Sequence, residues 1–325
     1  IDVAKTVADL LVRNPALQVI GVGGGTLLDA SKLGLLFARY PTYRDPQLIS
    51  LKQRKFPQPS RSSMHPTGRG PLWIPTTMGP GAAFTSTVIA PREGRAPLNI
   101  RWEGFLQAGD SADGDALYLE QLPHHLVESG LLEAVVRAVL MRTMAKGSHS
   151  EAGIALDRCI VELSRELINS QGRRAGEVAD NPRQKRPAEL FELSRTSTVA
   201  LSRYDKVPTS IHSWWILENE MRGVTGLSKA DIQRTYSPAL FQDIVAGTDV
   251  FGVREHLSGS PLWLEVRTAL DGLSEVDFDR AQPGASPGAS FASLAIESAF
   301  ASWGSIFEKG VKDLAPLRRI LESVA

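Results

Sequence analysis

The sequence has little of several features that would mark a specialised environment. Cys159 is its one cysteine, so the chain cannot form an internal disulfide, as expected of a protein in the reducing cytosol. It has no apolar run long enough to span a bilayer, and no signal-peptide pattern opens it. We therefore expect a cytoplasmic protein that does not interact with membranes.

An excess of charge of either sign is also absent. Lys and Arg number 36, as do Asp and Glu, so the formal net charge is +0. Proteins that bind nucleic acids generally carry a positive field, and we therefore expect no nucleic-acid partner. The remaining composition, 42% hydrophobic and 22% charged, is that of a globular protein, and 325 residues favour two domains.

The order of the predicted elements indicates an α/β part followed by a helical part. Residues 2–13 have helical periodicity, LQVIGVGGG (17–25) is typical of a buried strand, and TLLDASKLGLLFARY (26–40) is again helical. PLWIPTT (71–77) is a second short strand. We predict an α/β domain with a parallel sheet over residues 1–121 and an all-α domain over residues 122–325.

Three successive glycines stand where the first strand passes into a helix. Gly23, Gly24 and Gly25 let the backbone approach a diphosphate closely, and a helix beginning near Thr26 would direct its N–H groups and positive dipole end at it. We expect Thr26 to add a hydroxyl and to cap the helix. The spacing is not that of the GxGxxG fingerprint, and a tight turn that binds nothing is the alternative.

A second small-residue turn supports ligand binding. PTTMGPG (75–81) ends the second strand with two hydroxyl side chains and two glycines. Because parallel strands end at the same edge of a sheet, the two turns would suit one ligand lying across that edge.

The two turns together resemble segments of the iron-containing alcohol dehydrogenases, in the dehydroquinate synthase-like superfamily. GGGTLLDASK (23–32) is similar to their GGGSxxDxAK, and PTTMGPGAAFT (75–85) to their PTTxGTGSExT. In that family the first segment holds the pyrophosphate of NAD or NADP, and the second contacts the nicotinamide end. Family members have further strands before the first turn, so the resemblance predicts that the α/β part lacks its first strands. It implies that residues 1–121 form a dinucleotide-binding domain and that residues 122–325 form the domain for substrate or metal. The cofactor-binding residues that it implies are Gly23, Gly24, Gly25, Thr26, Asp29, Lys32, Thr76, Thr77, Gly79 and Thr85.

The resemblance also implies a divalent metal, iron or zinc, in the helical domain, but the motifs depart from the family there. Glu133 matches the GxxE ligand of the synthases, whereas Arg137 stands four residues later, where the dehydrogenases have a histidine. His212 matches the first of the later family ligands, but Ile216 stands four residues after it, and the place of the last ligand falls near Thr225 or Gly226. Only Glu133 and His212 remain as metal ligands, fewer than a catalytic site usually takes. The alternative to metal binding is an ion pair with Arg137 for Glu133, and a buried, hydrogen-bonded side chain for His212.

The function that the resemblance implies is NAD(P)-dependent interconversion of an alcohol and a carbonyl. The departures suggest an unusual substrate, a small molecule or a peptide in a biosynthetic pathway. Without a metal, a side chain must stabilise the alkoxide, and the catalytic candidates are Lys32, Arg137 and His212, of which His212 could also move a proton. Two alternatives remain open: a dehydroquinate synthase-like carbocycle synthase, and a catalytically silent scaffold subunit. The protein partner expected for the chain is a second copy, giving a homodimer, or a different partner protein.

Overall fold

The computed structural model describes most of both parts of the chain. The described residues are 1–45, 71–78, 81–92, 95–102, 122–144, 151–174, 187–203, 209–245, 261–271, 273, 289–303, 307, 311 and 314–322. The chain divides into two compact units, Ile1–Pro123 and His124–Ala325. The sequence placed this division after residue 121.

The described residues of the first unit form two α-helices and two small sheets. Its helices are α1 (Asp2–Arg13) and α2 (Gly25–Arg39), and its strands are β1 (Ile20–Gly23), β2 (Leu72–Pro75), β3 (Thr87–Arg92) and β4 (Arg95–Arg101). Strands β1 and β2 are parallel, with Ile20 opposite Leu72 and Gly23 opposite Pro75. Within the residues that the structure describes, the predicted parallel sheet has two strands. Strands β3 and β4 form an antiparallel pair, with Thr87 opposite Arg101.

Helix α2 is the centre of this unit. Its apolar residues Leu28, Leu33, Leu36 and Phe37 are buried, as expected of a helix that contacts other elements on several sides. Helix α1 packs closely against it because residue 34 is glycine. A Cβ at Gly34 would lie 2.6 Å from the Val7 Cβ and 3.0 Å from the Ala4 carbonyl oxygen.

The second unit is helical throughout its described residues apart from short connections. Its helices are α3 (His124–Met144), α4 (Glu151–Arg174), α5 (Pro187–Arg203), α6 (Thr209–Thr225), α7 (Lys229–Val245), α8 (Pro261–Asp271), α9 (Ala289–Trp303) and α10 (Leu314–Glu322). Helix α3 packs against α4, α5 and α7, and its side chains from Val135 to Met141 are all buried. In the described part of the chain, no helix combines the length and apolar character needed to cross a bilayer.

Candidate functional site

The first glycine turn leads directly into helix α2. The helix begins at Gly25, and Gly24 is its N-cap residue in an extended conformation, with no side chain capping it. The expectation that Thr26 caps the helix is therefore wrong, because Thr26 already lies within the first turn. Its side chain is exposed.

The uncapped start of α2 leaves backbone donors for a ligand. The N–H groups of Leu27 and Leu28 both donate to the Gly24 carbonyl oxygen, at 3.0 and 3.1 Å. The N–H groups of Gly25 and Thr26 precede them and have no side-chain cap as acceptor. An uncapped helix start of this kind is a favourable place for a phosphate, because the free N–H groups and the helix dipole both favour negative charge.

The second turn lies beside the first. The Thr76 N–H donates to the Gly23 carbonyl oxygen at 3.0 Å, which extends the pairing of β1 and β2 to the ends of both strands. A Cβ at Gly24 would lie 3.3 Å from the Oγ1 and Cγ2 atoms of Thr77. A side chain at residue 24 would thus crowd the Thr77 hydroxyl, and glycine leaves this edge open. The predicted site residue Gly79 lies outside the described residues.

Lys32 and Asp29 face the interior of the first unit. The Lys32 Nζ is fully buried and donates to three backbone carbonyls, those of Ala82, Thr85 (2.7 Å) and Thr87 (3.3 Å). Burial lowers the pKa of Lys32 to about 8, although the nearby Asp29 raises it. The Asp29 Oδ2 accepts a hydrogen bond from the Ile89 N–H at 3.2 Å. These contacts fix the segment leading into β3.

The geometry therefore supports a structural role for Lys32. Its ammonium group has three hydrogens, and the three carbonyls supply an acceptor for each. The predicted contact of Lys32 with a coenzyme or an alkoxide stays a prediction. Thr85, predicted to bind the cofactor, is close to this network, since the Thr87 hydroxyl donates to the Thr85 Oγ1 at 3.1 Å.

In the second unit, Glu133 lies among charged side chains from three helices. Its Oε1 accepts from the Arg137 Nη2 at 2.7 Å and from the Lys229 Nζ at 2.8 Å. Glu133 thus forms the ion pair with Arg137 that was the alternative to metal binding. Burial by itself raises the pKa of Glu133, but the Lys229 ammonium and the Arg137 guanidinium outweigh it, so the pKa is lowered. We call Glu133, Arg137, Lys229 and Glu218 the Glu133 cluster.

The other members of the Glu133 cluster differ in their surroundings. Arg137 is buried, and its Nη1 donates to the Thr198 Oγ1 at 2.8 Å. Glu218 accepts from the Gln233 Nε2 at 3.0 Å and lies 3.9 Å from the Lys229 Nζ. Burial raises the pKa of Glu218, although Lys229 opposes this. Lys229, at the start of α7, was not among the residues predicted from the sequence.

The described residues do not fit a divalent metal at this place. The Glu133 Oε1 is already bound by two cationic groups, which would repel a metal ion. Ile216 is buried and offers no ligand atom. Among the described residues, no group of three His, Cys, Asp or Glu side chains is arranged to hold a metal. His212 belongs to α6, but its side chain lies outside the described part, so its predicted metal and catalytic roles stay predictions.

Comparison with solved structures identifies the fold. Over 99% of its length the chain matches an NADH-dependent butanol dehydrogenase A from Thermotoga maritima, with a TM-score of 0.71, 13% identity and 80% of that chain covered. The iron-containing alcohol dehydrogenase of Thermococcus thioreducens gives a TM-score of 0.67 at 12% identity, covering 99% of this chain and 80% of that one. An iron-containing alcohol dehydrogenase of Thermotoga maritima gives 0.63 at 16%, covering 98% and 78%.

The chain therefore has the fold of the iron-containing alcohol dehydrogenases, and the fold that the sequence resemblance implied is confirmed. The sequence itself matches no protein-family model and no curated protein. At these low identities the similarity concerns the fold.

Proposed function

We propose that the protein is an NAD(P)-dependent oxidoreductase that interconverts an alcohol and a carbonyl. The observation that carries the proposal is the meeting of two small-residue turns at the ends of β1 and β2. Gly24 and Thr77 lie side by side there, in front of the uncapped start of α2. A dinucleotide needs such a place for its pyrophosphate, at the carboxyl ends of parallel strands.

Each part of this edge has a task in binding the coenzyme. The N–H groups of Gly25 and Thr26 would donate to phosphate oxygens, and the Thr77 hydroxyl would supply a further donor. Gly24 keeps the approach open. The bound nicotinamide would supply the hydride acceptor or donor. In support, a solved structure with this fold is named an NADH-dependent butanol dehydrogenase.

We propose a small-molecule alcohol or carbonyl, or one carried on a peptide, because the family motifs change in the helical unit, where Arg137 and Ile216 stand. The dehydroquinate synthase-like alternative rested on Glu133 as a metal ligand. The ion pairs of Glu133 with Arg137 and Lys229 weigh against it. The scaffold alternative would be the better account if the protein bound neither NAD nor NADP.

Calorimetry with NAD and NADP tests the proposal. We expect one of the two coenzymes to bind the wild-type protein. Gly24→Val should weaken that binding at least about tenfold, because its side chain would crowd Thr77 and the phosphate position. Gly223→Ala, at an exposed position of α6, is the matched control and should bind as the wild type does. If the folded wild-type protein binds neither coenzyme, the oxidoreductase proposal fails and the scaffold alternative is the better account.

A further inference from the structure

The Glu133 cluster contains two cations with different capacities for a ligand. Arg137 is buried and donates on one side to Glu133 and on the other to Thr198. Among the described residues, Lys229 makes one hydrogen bond, to the Glu133 Oε1 at 2.8 Å. The Glu218 Oε2, 3.9 Å from the Lys229 Nζ, is beyond hydrogen-bond distance. Its side chain is 32% exposed.

An ammonium group has three N–H donors. With one donor used by Glu133, two N–H groups of Lys229 have no acceptor among the described residues. Lys32 differs in both respects, since it is fully buried and its three donors all reach carbonyls. Among the cationic side chains discussed above, Lys229 is thus the one that combines a fixed position with unused donors and exposure.

Lys229 contacts Glu133, the carboxylate that would ligate a metal ion in a relative of this fold. The carboxylate that matches a family metal ligand is instead neutralised by side chains of this chain, and Lys229 donates to its Oε1. We infer that the Lys229 ammonium replaces the divalent cation of the helical unit, and that its two unused N–H groups bind a carbonyl or alcohol oxygen of the substrate. This inference rests on the proposed function for the identity of the oxygen ligand.

The chemical consequence is a metal-free means of stabilising charge. Hydrogen bonds from a fixed ammonium group polarise a carbonyl and stabilise the negative charge that develops on its oxygen, as preorganised donors do in other enzymes. Glu133 is a positioning residue in this arrangement. It touches Lys229 but not the substrate, and it holds the ammonium group in place.

A metal titration tests the first half of the inference. Co²⁺ is added to the wild-type protein, and its visible absorption is followed together with elemental analysis of the purified protein. We expect no stoichiometric uptake. The double variant Arg137→His/Lys229→Ala frees Glu133 and places an imidazole four residues away, and it should gain Co²⁺ binding. Stoichiometric uptake by the wild-type protein that disappears in Glu133→Gln would overturn the replacement.

Chemical labelling tests the second half without requiring turnover. Lysines are acetylated with acetic anhydride, with and without butyrate as an oxygen-bearing probe, and labelling rates are read by mass spectrometry. Butyrate should slow the labelling of Lys229 several-fold and leave exposed Lys5 of α1 unchanged. Equal rates at Lys229 with and without butyrate would show that it binds no such oxygen.

Calorimetry on Lys229→Met separates this inference from the proposed function. Coenzyme binding should be unchanged in this variant and in Arg165→Met, which removes another interhelical ion pair, that with Glu265. If the wild-type protein binds no coenzyme but Lys229 is protected by butyrate, the oxidoreductase proposal fails and the oxygen site stands. If coenzyme binds but butyrate does not protect Lys229, the oxidoreductase proposal stands and the oxygen site at Lys229 fails.

Discussion

At the scale of single residues, two carboxylates of the Glu133 cluster respond to their surroundings in opposite directions. Lys229 and Arg137 outweigh burial at Glu133 and lower its pKa, whereas burial dominates at Glu218 and raises its pKa. Ionised Glu133 therefore contributes stability that is present above its unfolded pKa and is lost as the pH falls through the lower folded pKa. For Glu218 the contribution is present at low pH and is lost as the pH rises through the raised folded pKa.

Glu133→Gln and Glu218→Gln should consequently change the free energy of unfolding differently, and the two changes should depend on pH in opposite directions. At pH 7, we expect Glu133→Gln to lower the free energy of unfolding by about 1–3 kcal/mol, because two cations lose their carboxylate. The difference from the wild type should shrink below about pH 4. Glu218→Gln should be neutral or stabilising at pH 7 and relatively less favourable in acid. Urea denaturation between acid pH and pH 7 measures the free energy of unfolding of both variants. The same pH trend in the two variants would contradict opposite pKa shifts at Glu133 and Glu218.

Lys32 is the second residue whose role can be tested. Lys32→Met keeps the aliphatic volume but leaves the carbonyls of Ala82, Thr85 and Thr87 without their donor. We expect a loss of about 3 kcal/mol in the free energy of unfolding, since buried unsatisfied groups are costly. Lys5→Met, at an exposed position of α1, should change it by less than about 0.5 kcal/mol. Equal small effects in the two variants would mean that the buried hydrogen bonds do not matter.

At the scale of elements, the sequence predicted α1 with its bounds but not which face packs. The helix covers Asp2–Arg13 as its periodicity indicates. Ala4 and Ala8 are its buried residues, while Val3 and Leu10 are exposed. Helix α2 approaches this side of α1 closely at Gly34, where the Val7 side chain and the Ala4 carbonyl oxygen lie against the glycine. Periodicity locates a helix because it is local, whereas the packing face depends on its partner.

Gly34→Ala measures this close approach. Alanine normally stabilises a helix by about 1 kcal/mol relative to glycine. Here the added methyl would meet Val7 and the Ala4 carbonyl, so we expect the sign to reverse, with a loss of about 1–3 kcal/mol. Val7→Ala in the same chain should restore part of the loss. Gly223→Ala, in exposed sequence of α6, should show the ordinary stabilising sign, and a stabilising Gly34→Ala would mean that the two helices can separate without cost.

At the scale of the whole molecule, local sequence patterns were sufficient for the fold and insufficient for the site in the helical unit. The two glycine-containing turns are short contiguous motifs, so they could be compared directly with a family. The pairing of Glu133 with Lys229 joins residues on α3 and α7 that are far apart in the chain. No local pattern indicates such a contact, because Lys229 reaches Glu133 only when α3 and α7 pack together. The Arg137 partner of Glu133 was predictable because it lies one helical turn away.

Hydrogen exchange can locate the coenzyme within the molecule. If the amides at the start of α2 and the adjoining turn bind the pyrophosphate, NAD or NADP should slow exchange in peptides covering residues 20–28 and 72–78. The bound coenzyme should also raise the melting temperature in proportion to the logarithm of its concentration, because it binds the folded state. Gly24→Val should lose both effects while keeping its circular dichroism. Slowed exchange that leaves these two segments unchanged would place the nucleotide elsewhere and would remove the argument from the two turns.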